Sequence, residues 1–170
     1  MTSTSLQRIV DIGFARAGGW SLDEGTLGFD VSHYAQARNV LYAFVIDDEL
    51  RYIGKTSRVL RSRMAGYRTP GATQSTNITN HQHILAALGR GQRVDIYVLP
   101  DNGLLHYGGF HINLAAGLED SLIRELVPPW NGGKKETSAQ TLAPLVPDAS
   151  FDGDADGGGD ASGEADPVVR

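Results

Sequence analysis

The sequence predicts an α/β fold of the α+β type, in which a small three-stranded antiparallel sheet is flanked by helices. The residues from Val40 to Ile46 form an uninterrupted apolar run, which is typical of a buried strand. A charged turn and the segment from Leu50 to Lys55 complete a hairpin, and Arg93 to Leu99 alternates like a third strand. Segments with helical spacing lie between the hairpin and the third strand and after it.

The N-terminal region predicts one helix and little else. Residues 4–17 carry Leu6, Ile9, Val10 and Phe14 at helical spacing and end near a Gly-Gly pair. Residues 18–38 show no strong pattern, so residues 1–38 are expected to form a partly helical extension. The main domain is then expected over residues 39–133.

Three further helices follow the hairpin. Ser57 is a suitable N-cap for a helix over residues 58–67. Thr79 or Asn80 can cap a second helix that runs through Leu88 and closes at glycines. A third helix starts after Asn113 and runs to about Leu126, where the prolines at 128 and 129 stop it.

Composition excludes several protein classes. The chain has 170 residues and no cysteine, which excludes a disulfide scaffold, a thiolate metal site and a cysteine nucleophile. Its longest apolar run, over residues 40–46, is too short to span a bilayer, and the N-terminus lacks the apolar core of a secretory signal. We therefore expect a soluble, cytoplasmic protein without a membrane partner.

The formal net charge of −5 is unevenly distributed. From Asp148 to Arg170 there are seven acids and one base, whereas residues 1–147 have a net charge of +1. The segment from Arg51 to Arg93 holds eight bases and no acid, which is a plausible footprint for a polyanion such as DNA or for a solvated surface. Residues 134–170 are acidic, rich in Gly and Asp, and predicted to be disordered.

The hairpin register brings two tyrosines together. With a three-residue turn over residues 47–49, Phe44 faces Tyr52 and Tyr42 faces Gly54. Tyr42 and Tyr52 would then share one face near the open end of the hairpin, with Lys55 close by.

Two charged residues fall where apolar ones are expected. Arg63 lies inside the apolar stripe of its helix, and Glu119 lies between Ala115 and Ile123 on the apolar side of the last helix. A guanidinium or carboxylate in such a place needs a partner, or it extends along the stripe edge. A structural Arg63–Glu119 ion pair would explain both, and so would an anion at Arg63 and a cation at Glu119.

These residues, in this order, resemble the GIY-YIG nuclease family. The first motif strand is Val40-Leu41-Tyr42, where valine replaces the motif glycine, and the second is Tyr52-Ile53-Gly54-Lys55. An arginine on the next helix, a later helical glutamate and a following asparagine match Arg63, Glu119 and Asn131. The interval from Tyr52 leaves both Arg61 and Arg63 open for the arginine, and the apolar stripe favours Arg63.

The resemblance implies metal-dependent hydrolysis of DNA phosphodiester bonds, with Mg²⁺ (or Mn²⁺) as cofactor and DNA as partner. Catalytic residues would be Tyr42, Tyr52, Lys55, Arg63, Glu119 and Asn131. Tyr42 would be the general base, assisted by nearby positive charge; Arg63 would clamp the scissile phosphate, and Glu119 would bind the metal. Residues contacting the DNA backbone would be Arg58, Arg61, Tyr67 and Arg68.

Two other functions are compatible with the sequence. One is a nucleic-acid-binding module of the same fold that does not cleave. The other is an interaction domain in which Arg63 and Glu119 form a structural ion pair.

Overall fold

A computed structural model describes residues 3–132 and contains a five-stranded antiparallel sheet with helices on both faces. The strands of the sheet are β1 (Ala15–Asp23), β2 (Thr26–Asp30), β3 (Val40–Ile46), β4 (Glu49–Thr56) and β5 (Val94–Pro100). The helices are α1 (Ser5–Asp11), α2 (Leu60–Arg68), α3 (Ser75–Gly89) and α4 (Leu114–Leu126), followed by a 3₁₀ turn over Pro129–Asn131. A small hairpin of β6 (His106–Tyr107) and β7 (Phe110–His111) precedes α4.

The predicted fold class is confirmed, but the sheet has five strands instead of three, in the order β2-β1-β5-β3-β4. The prediction missed β1 and β2 and extended the first helix to residue 17. That helix ends at Asp11, and the chain then turns at Gly13, whose φ is +106°. Glycines within β1 and its short antiparallel partner obscured the strand pattern in the sequence.

Residues 1–38 are therefore not a separate extension. Strand β1 pairs with β5 near the middle of the sheet, so this part of the chain contributes to the same sheet as the predicted main domain. The predicted disorder of residues 134–170 concerns residues outside those that the structure describes.

The sheet separates two apolar cores, because successive side chains of a strand point to opposite faces. On one face, Tyr42 and Phe44 of β3 pack with α2 and α3 through residues such as Met64 and Ile84. On the other face, the alternate β3 residues pack with Ile9 of α1 and with the apolar side of α4. Helices α2 and α4, with their side chains, consequently lie on opposite sides of the sheet.

The β3–β4 hairpin has the predicted register at its functional end. Phe44 pairs with Tyr52, and Tyr42 pairs with Gly54. The predicted three-residue turn is wrong: Ile46 pairs with Glu49 across two residues of positive φ, as in a type I′ turn. A bulge after Phe44 absorbs the one-residue difference.

Each predicted helix is present, but several helices begin or end at residues other than those predicted. Helix α2 starts at Leu60 without a side-chain cap, and Ser57 lies before it. Helix α3 starts at Ser75, ahead of the predicted caps, while α4 begins after its Asn113 cap and ends at Leu126 as predicted. Within residues 3–132, every helix is too short or too polar to cross a membrane.

Candidate functional site

Three tyrosines and one arginine form a hydrogen-bonded group, here called the tyrosine–arginine cluster, made of Tyr42, Tyr52, Arg63 and Tyr67. The Tyr42 and Tyr67 hydroxyls lie 2.8 Å apart, and the Tyr67 hydroxyl donates to Tyr52 at 3.2 Å. Because a hydroxyl has one proton, Tyr42 is then the donor in its bond with Tyr67. Arg63 donates from Nε to Tyr42 and from Nη2 to Tyr67, each at 2.7 Å.

The local sequence explains why these groups meet. Arg63 and Tyr67 are four residues apart on α2 and therefore lie on the same helix face. Tyr42 can lie over Gly54 because this residue has no side chain: an added Cβ would sit 2.7 Å from the Tyr42 hydroxyl oxygen and 2.8 Å from the Tyr52 ring. The glycine of the second motif strand thus makes room for the tyrosine of the first.

On the apolar side of α2, the Arg63 guanidinium is bonded to neutral side chains and not to an acidic one. Its third bond runs from Nη1 to Oδ1 of Asn77, at 3.0 Å, and Asn77 in turn donates to Gln74. A guanidinium has five N–H groups, so three contacts to the described residues leave one N–H on Nη1 and one on Nη2. Arg61, the other arginine considered for this role, is exposed and lies outside the cluster.

The electrostatics of Tyr42 differ from the expectation that nearby positive charge would ease its ionisation. Burial, together with the neighbouring Tyr52, raises the pKa of Tyr42 well above its ordinary value. The Arg63 guanidinium and the hydrogen bonds that Tyr42 shares with Tyr67 and Arg63 lower this pKa, but they do not outweigh burial. In the protein alone, Tyr42 is therefore a neutral phenol at physiological pH.

Glu119 pairs with Lys55, and the structural Arg63–Glu119 ion pair considered above is absent. The Lys55 Nζ lies 2.7 Å from Glu119 Oε2, with side chains 45% and 15% exposed, respectively. Lys55 pairs in register with Leu41 and so projects to the α4 face, whereas Arg63 packs on the other face. The hydrogen bond and the charge of Glu119 raise the pKa of Lys55.

A polar cleft of about 530 Å³ joins the two faces around the end of β4. Lys55, Arg58 and Arg63 supply three positive charges to its lining, and none of its described lining residues is acidic. Asn77 and Gln74 line one side, and the first turn of α4 lines the other. Tyr42, Tyr52 and Glu119 are not themselves lining residues. Tyr42 is bonded to the lining residue Arg63 and Glu119 to the lining residue Lys55, whereas Tyr52 is bonded to Tyr67.

Asn131 lies at the outer edge of β4 and not in the cleft. Its side-chain amide accepts a hydrogen bond from the Ile53 N–H at 2.8 Å and donates to the Ile53 carbonyl at 2.6 Å. Its contact is therefore with the backbone between Tyr52 and Gly54.

The bases of the segment from Arg51 to Arg93 differ in whether they form ion pairs. Arg51 pairs with Glu49, and Arg93 pairs with Asp48 and the buried Asp95. Arg58, Arg61 and Arg68 are exposed and form no ion pair within residues 3–132. Tyr67 is fully buried and its hydroxyl belongs to the tyrosine–arginine cluster, and its contact with DNA stays a prediction.

Sequence reasoning missed Asn77 and Gln74. Asn77 is buried on α3 and holds Arg63 in place. A polar residue on the buried side of a helix was the available signal, but starting α3 near Asn80 placed Asn77 in a loop. Within residues 3–132, no three His, Asp or Glu side chains gather as a possible metal cluster, so Glu119 is a solitary carboxylate ligand candidate.

Comparison with known proteins identifies one curated relative. No protein-family model matches the chain. Endonuclease II of Enterobacteria phage T4 is 36% identical over 98 residues, which cover 55% of this chain and 71% of that protein. A solved structure of a bacteriophage T4 EndoII mutant aligns with a TM-score of 0.59 and 28% identity, covering 76% of this chain and 99% of that one. A restriction endonuclease in complex with product DNA aligns with a TM-score of 0.42 and 15% identity, covering 83% and 94%. The chain belongs to the family of phage T4 Endonuclease II.

Proposed function

We propose that this protein is a DNA endonuclease of the GIY-YIG type that hydrolyses phosphodiester bonds with a divalent metal ion, Mg²⁺ or Mn²⁺. The observation that carries this proposal is the cleft itself. It presents Lys55, Arg58 and Arg63 without an acidic lining residue, directly beside the Lys55–Glu119 pair. Membership in the family of phage T4 Endonuclease II supports cleavage over simple binding.

Arg63 is the proposed phosphate clamp. Three of its N–H groups are committed to Tyr42, Tyr67 and Asn77, and these bonds fix the plane of the guanidinium. The two remaining N–H groups can donate to phosphate oxygens and stabilise the charge that develops in the transition state. Lys55 and Arg58 add charge to the same cleft and would hold the neighbouring DNA backbone.

Tyr42 is the proposed general base, hydrogen-bonded to Tyr67 and Arg63, and Tyr67 in turn donates to Tyr52. In its ionised form Tyr42 would take the proton of the water that attacks phosphorus, while the bond from phosphorus to the leaving oxygen breaks. Tyr42 is fully buried, so this role requires a shift that exposes its hydroxyl when DNA binds. Asn131 would support the site indirectly by holding β4 at Ile53.

Glu119 is the proposed metal ligand, and its surroundings fit such a role. Its carboxylate already carries a cation, the Lys55 ammonium, and a solitary carboxylate suits Mg²⁺, which keeps most of its bound water. When bound, the ion would polarise a phosphoryl oxygen and neutralise developing charge.

The experiment that tests this function uses supercoiled plasmid DNA with Mg²⁺ or with EDTA. We expect Mg²⁺-dependent nicking by the wild type, its loss in Glu119→Gln, and its retention in Glu125→Gln, a matched change at an exposed position of the same helix. Nicking that survives EDTA or Glu119→Gln would contradict the metal assignment. DNA binding without nicking by the wild type would support a non-catalytic binding module.

A further inference from the structure

The Lys55–Glu119 contact places a positive side chain on the carboxylate that is the proposed metal ligand. The Nζ–Oε2 distance is 2.7 Å, and Glu119 forms no second ion pair among the described residues. Lys55 also lines the cleft that holds Arg58 and Arg63. The same ammonium can therefore reach either the carboxylate or the space in which a phosphate would bind.

We propose that Lys55 exchanges partners: it neutralises Glu119 in the free protein and moves to a DNA phosphate when a divalent cation occupies Glu119. Cation binding and DNA binding would then reinforce each other through one side chain. This inference rests on the proposed function, because it assumes that Glu119 binds the metal ion.

Electrostatic repulsion provides the driving force for the exchange. A divalent cation on Glu119 would lie within a few ångströms of the Lys55 ammonium, and like charges at that distance repel strongly. A bound phosphate offers the ammonium an oxygen acceptor in place of the carboxylate.

The two cationic side chains differ in their freedom to move. Lysine has a flexible four-carbon stem and three donors that rotate freely, and Lys55 is 45% exposed. Arg63 is held by three side-chain acceptors and would change its contacts only with the cluster. Lys55 is therefore the side chain suited to exchange.

Reciprocity follows from thermodynamic linkage. If the cation weakens the hold of Glu119 on Lys55 and so favours phosphate binding, DNA must favour cation binding by the same factor.

The first experiment measures Mn²⁺ binding to the protein without DNA, from the electron paramagnetic resonance signal of free Mn²⁺. We expect Lys55→Met to bind Mn²⁺ about threefold to tenfold more tightly than the wild type, because the competing ammonium is gone. Arg8→Met is the matched control, since it removes another exposed ion pair made by α4, the Arg8–Glu125 pair, and should leave Mn²⁺ affinity unchanged. Thermal melting of each variant checks that it is folded.

A Glu119→Gln variant separates the possible failures. If it binds Mn²⁺ as the wild type does, the metal assignment in the proposed function is wrong. If it loses Mn²⁺ binding while Lys55→Met binds Mn²⁺ no more tightly than the wild type, the exchange is wrong and the metal site remains.

The second experiment measures the coupling itself, as the ratio of affinities for a fluorescent DNA duplex with and without Mn²⁺. Tyr42→Phe provides a background in which cleavage is slow. We expect Mn²⁺ to tighten DNA binding at least about threefold more in Tyr42→Phe than in Tyr42→Phe combined with Lys55→Met. Equal ratios in the two proteins would overturn the exchange.

Discussion

The two halves of the site are held by different forces. The tyrosine–arginine cluster is buried, and each of its hydroxyls has at least one partner within the protein. The Lys55–Glu119 pair on the other side of β4 is one contact between a half-exposed ammonium and a carboxylate. Burial and several hydrogen bonds define one geometry, whereas a partly solvated ion pair is easily replaced by other charges. This difference is why we propose that the cluster fixes positions and that the Lys55–Glu119 pair exchanges partners.

The largest effect is expected for Tyr42→Phe, which keeps the ring but removes the hydroxyl. Loss of the proposed general base should reduce the cleavage rate about 100-fold to 10,000-fold. Because burial raises the pKa of Tyr42, the ionised fraction grows tenfold per pH unit throughout neutral pH. The logarithm of the wild-type rate should therefore rise with a slope near one between about pH 6 and pH 9.

The variant should lose this slope, as measured in single-turnover cleavage assays across the same pH range. A slope that persists in Tyr42→Phe would assign the titrating proton to another group, such as water on the metal. That result would remove the general-base role from the cluster.

Arg63→Lys tests whether the cluster needs the planar guanidinium of arginine or only a positive charge. Lysine cannot reproduce the planar contacts to Tyr42, Tyr67 and Asn77, so we expect cleavage to fall about 100-fold to 1,000-fold. Arg61→Lys is the matched control on the same helix, where an exposed side chain should tolerate the change. Comparable activity of both variants would show that the geometry of Arg63 does not matter.

Part of the tyrosine–arginine cluster could be predicted from two patterns, the strand register of the hairpin and the apolar stripe of α2. Alternation in the hairpin paired Tyr42 with Gly54, and the helical stripe marked Arg63 as a residue in need of partners. The hypothesis of an Arg63–Glu119 ion pair was wrong because α2 and α4 cover opposite faces of the sheet. The sequence alone does not say which face each helix covers. Strands β1 and β2 were missed because the helical spacing up to Phe14 continues into a segment whose glycines hide its strand character.

Gly54→Ala tests the packing that lets the two tyrosines meet. A methyl group there would lie 2.7 Å from the Tyr42 hydroxyl, so the buried rings must shift. We expect a loss of about 1–3 kcal/mol in the free energy of unfolding, measured by urea denaturation, together with weaker cleavage.

Gly117→Ala is the control for this change. Apart from its chain neighbours and the backbone of its own helix, no described atom lies within 4 Å of the added methyl group, and Gly117 is inside α4. This substitution should stabilise the protein by up to about 1 kcal/mol. Equal stability of both variants would show that the tyrosines can adjust around Gly54.

The smallest effect is expected for Arg58→Gln, in the cleft beside the Lys55–Glu119 pair. Arg58 lines the cleft and has no ion pair among the described residues, so it should contribute one phosphate contact. Removing it should lower the slope of log affinity against log salt concentration by about one. Arg90→Gln, at the far end of α3, should leave the slope unchanged; equal slopes in all three proteins would place DNA elsewhere.

The contact between Asn131 and Ile53 also bears on the outer edge of the sheet. Strand β4 is an outer strand of the sheet, and outer strands offer unpaired backbone groups on which another chain can add a strand and start aggregation. The Asn131 amide takes up both the N–H and the carbonyl of Ile53, as a neighbouring strand would. Within the described residues, one side chain therefore satisfies the backbone groups at the middle of this edge, beside Tyr52.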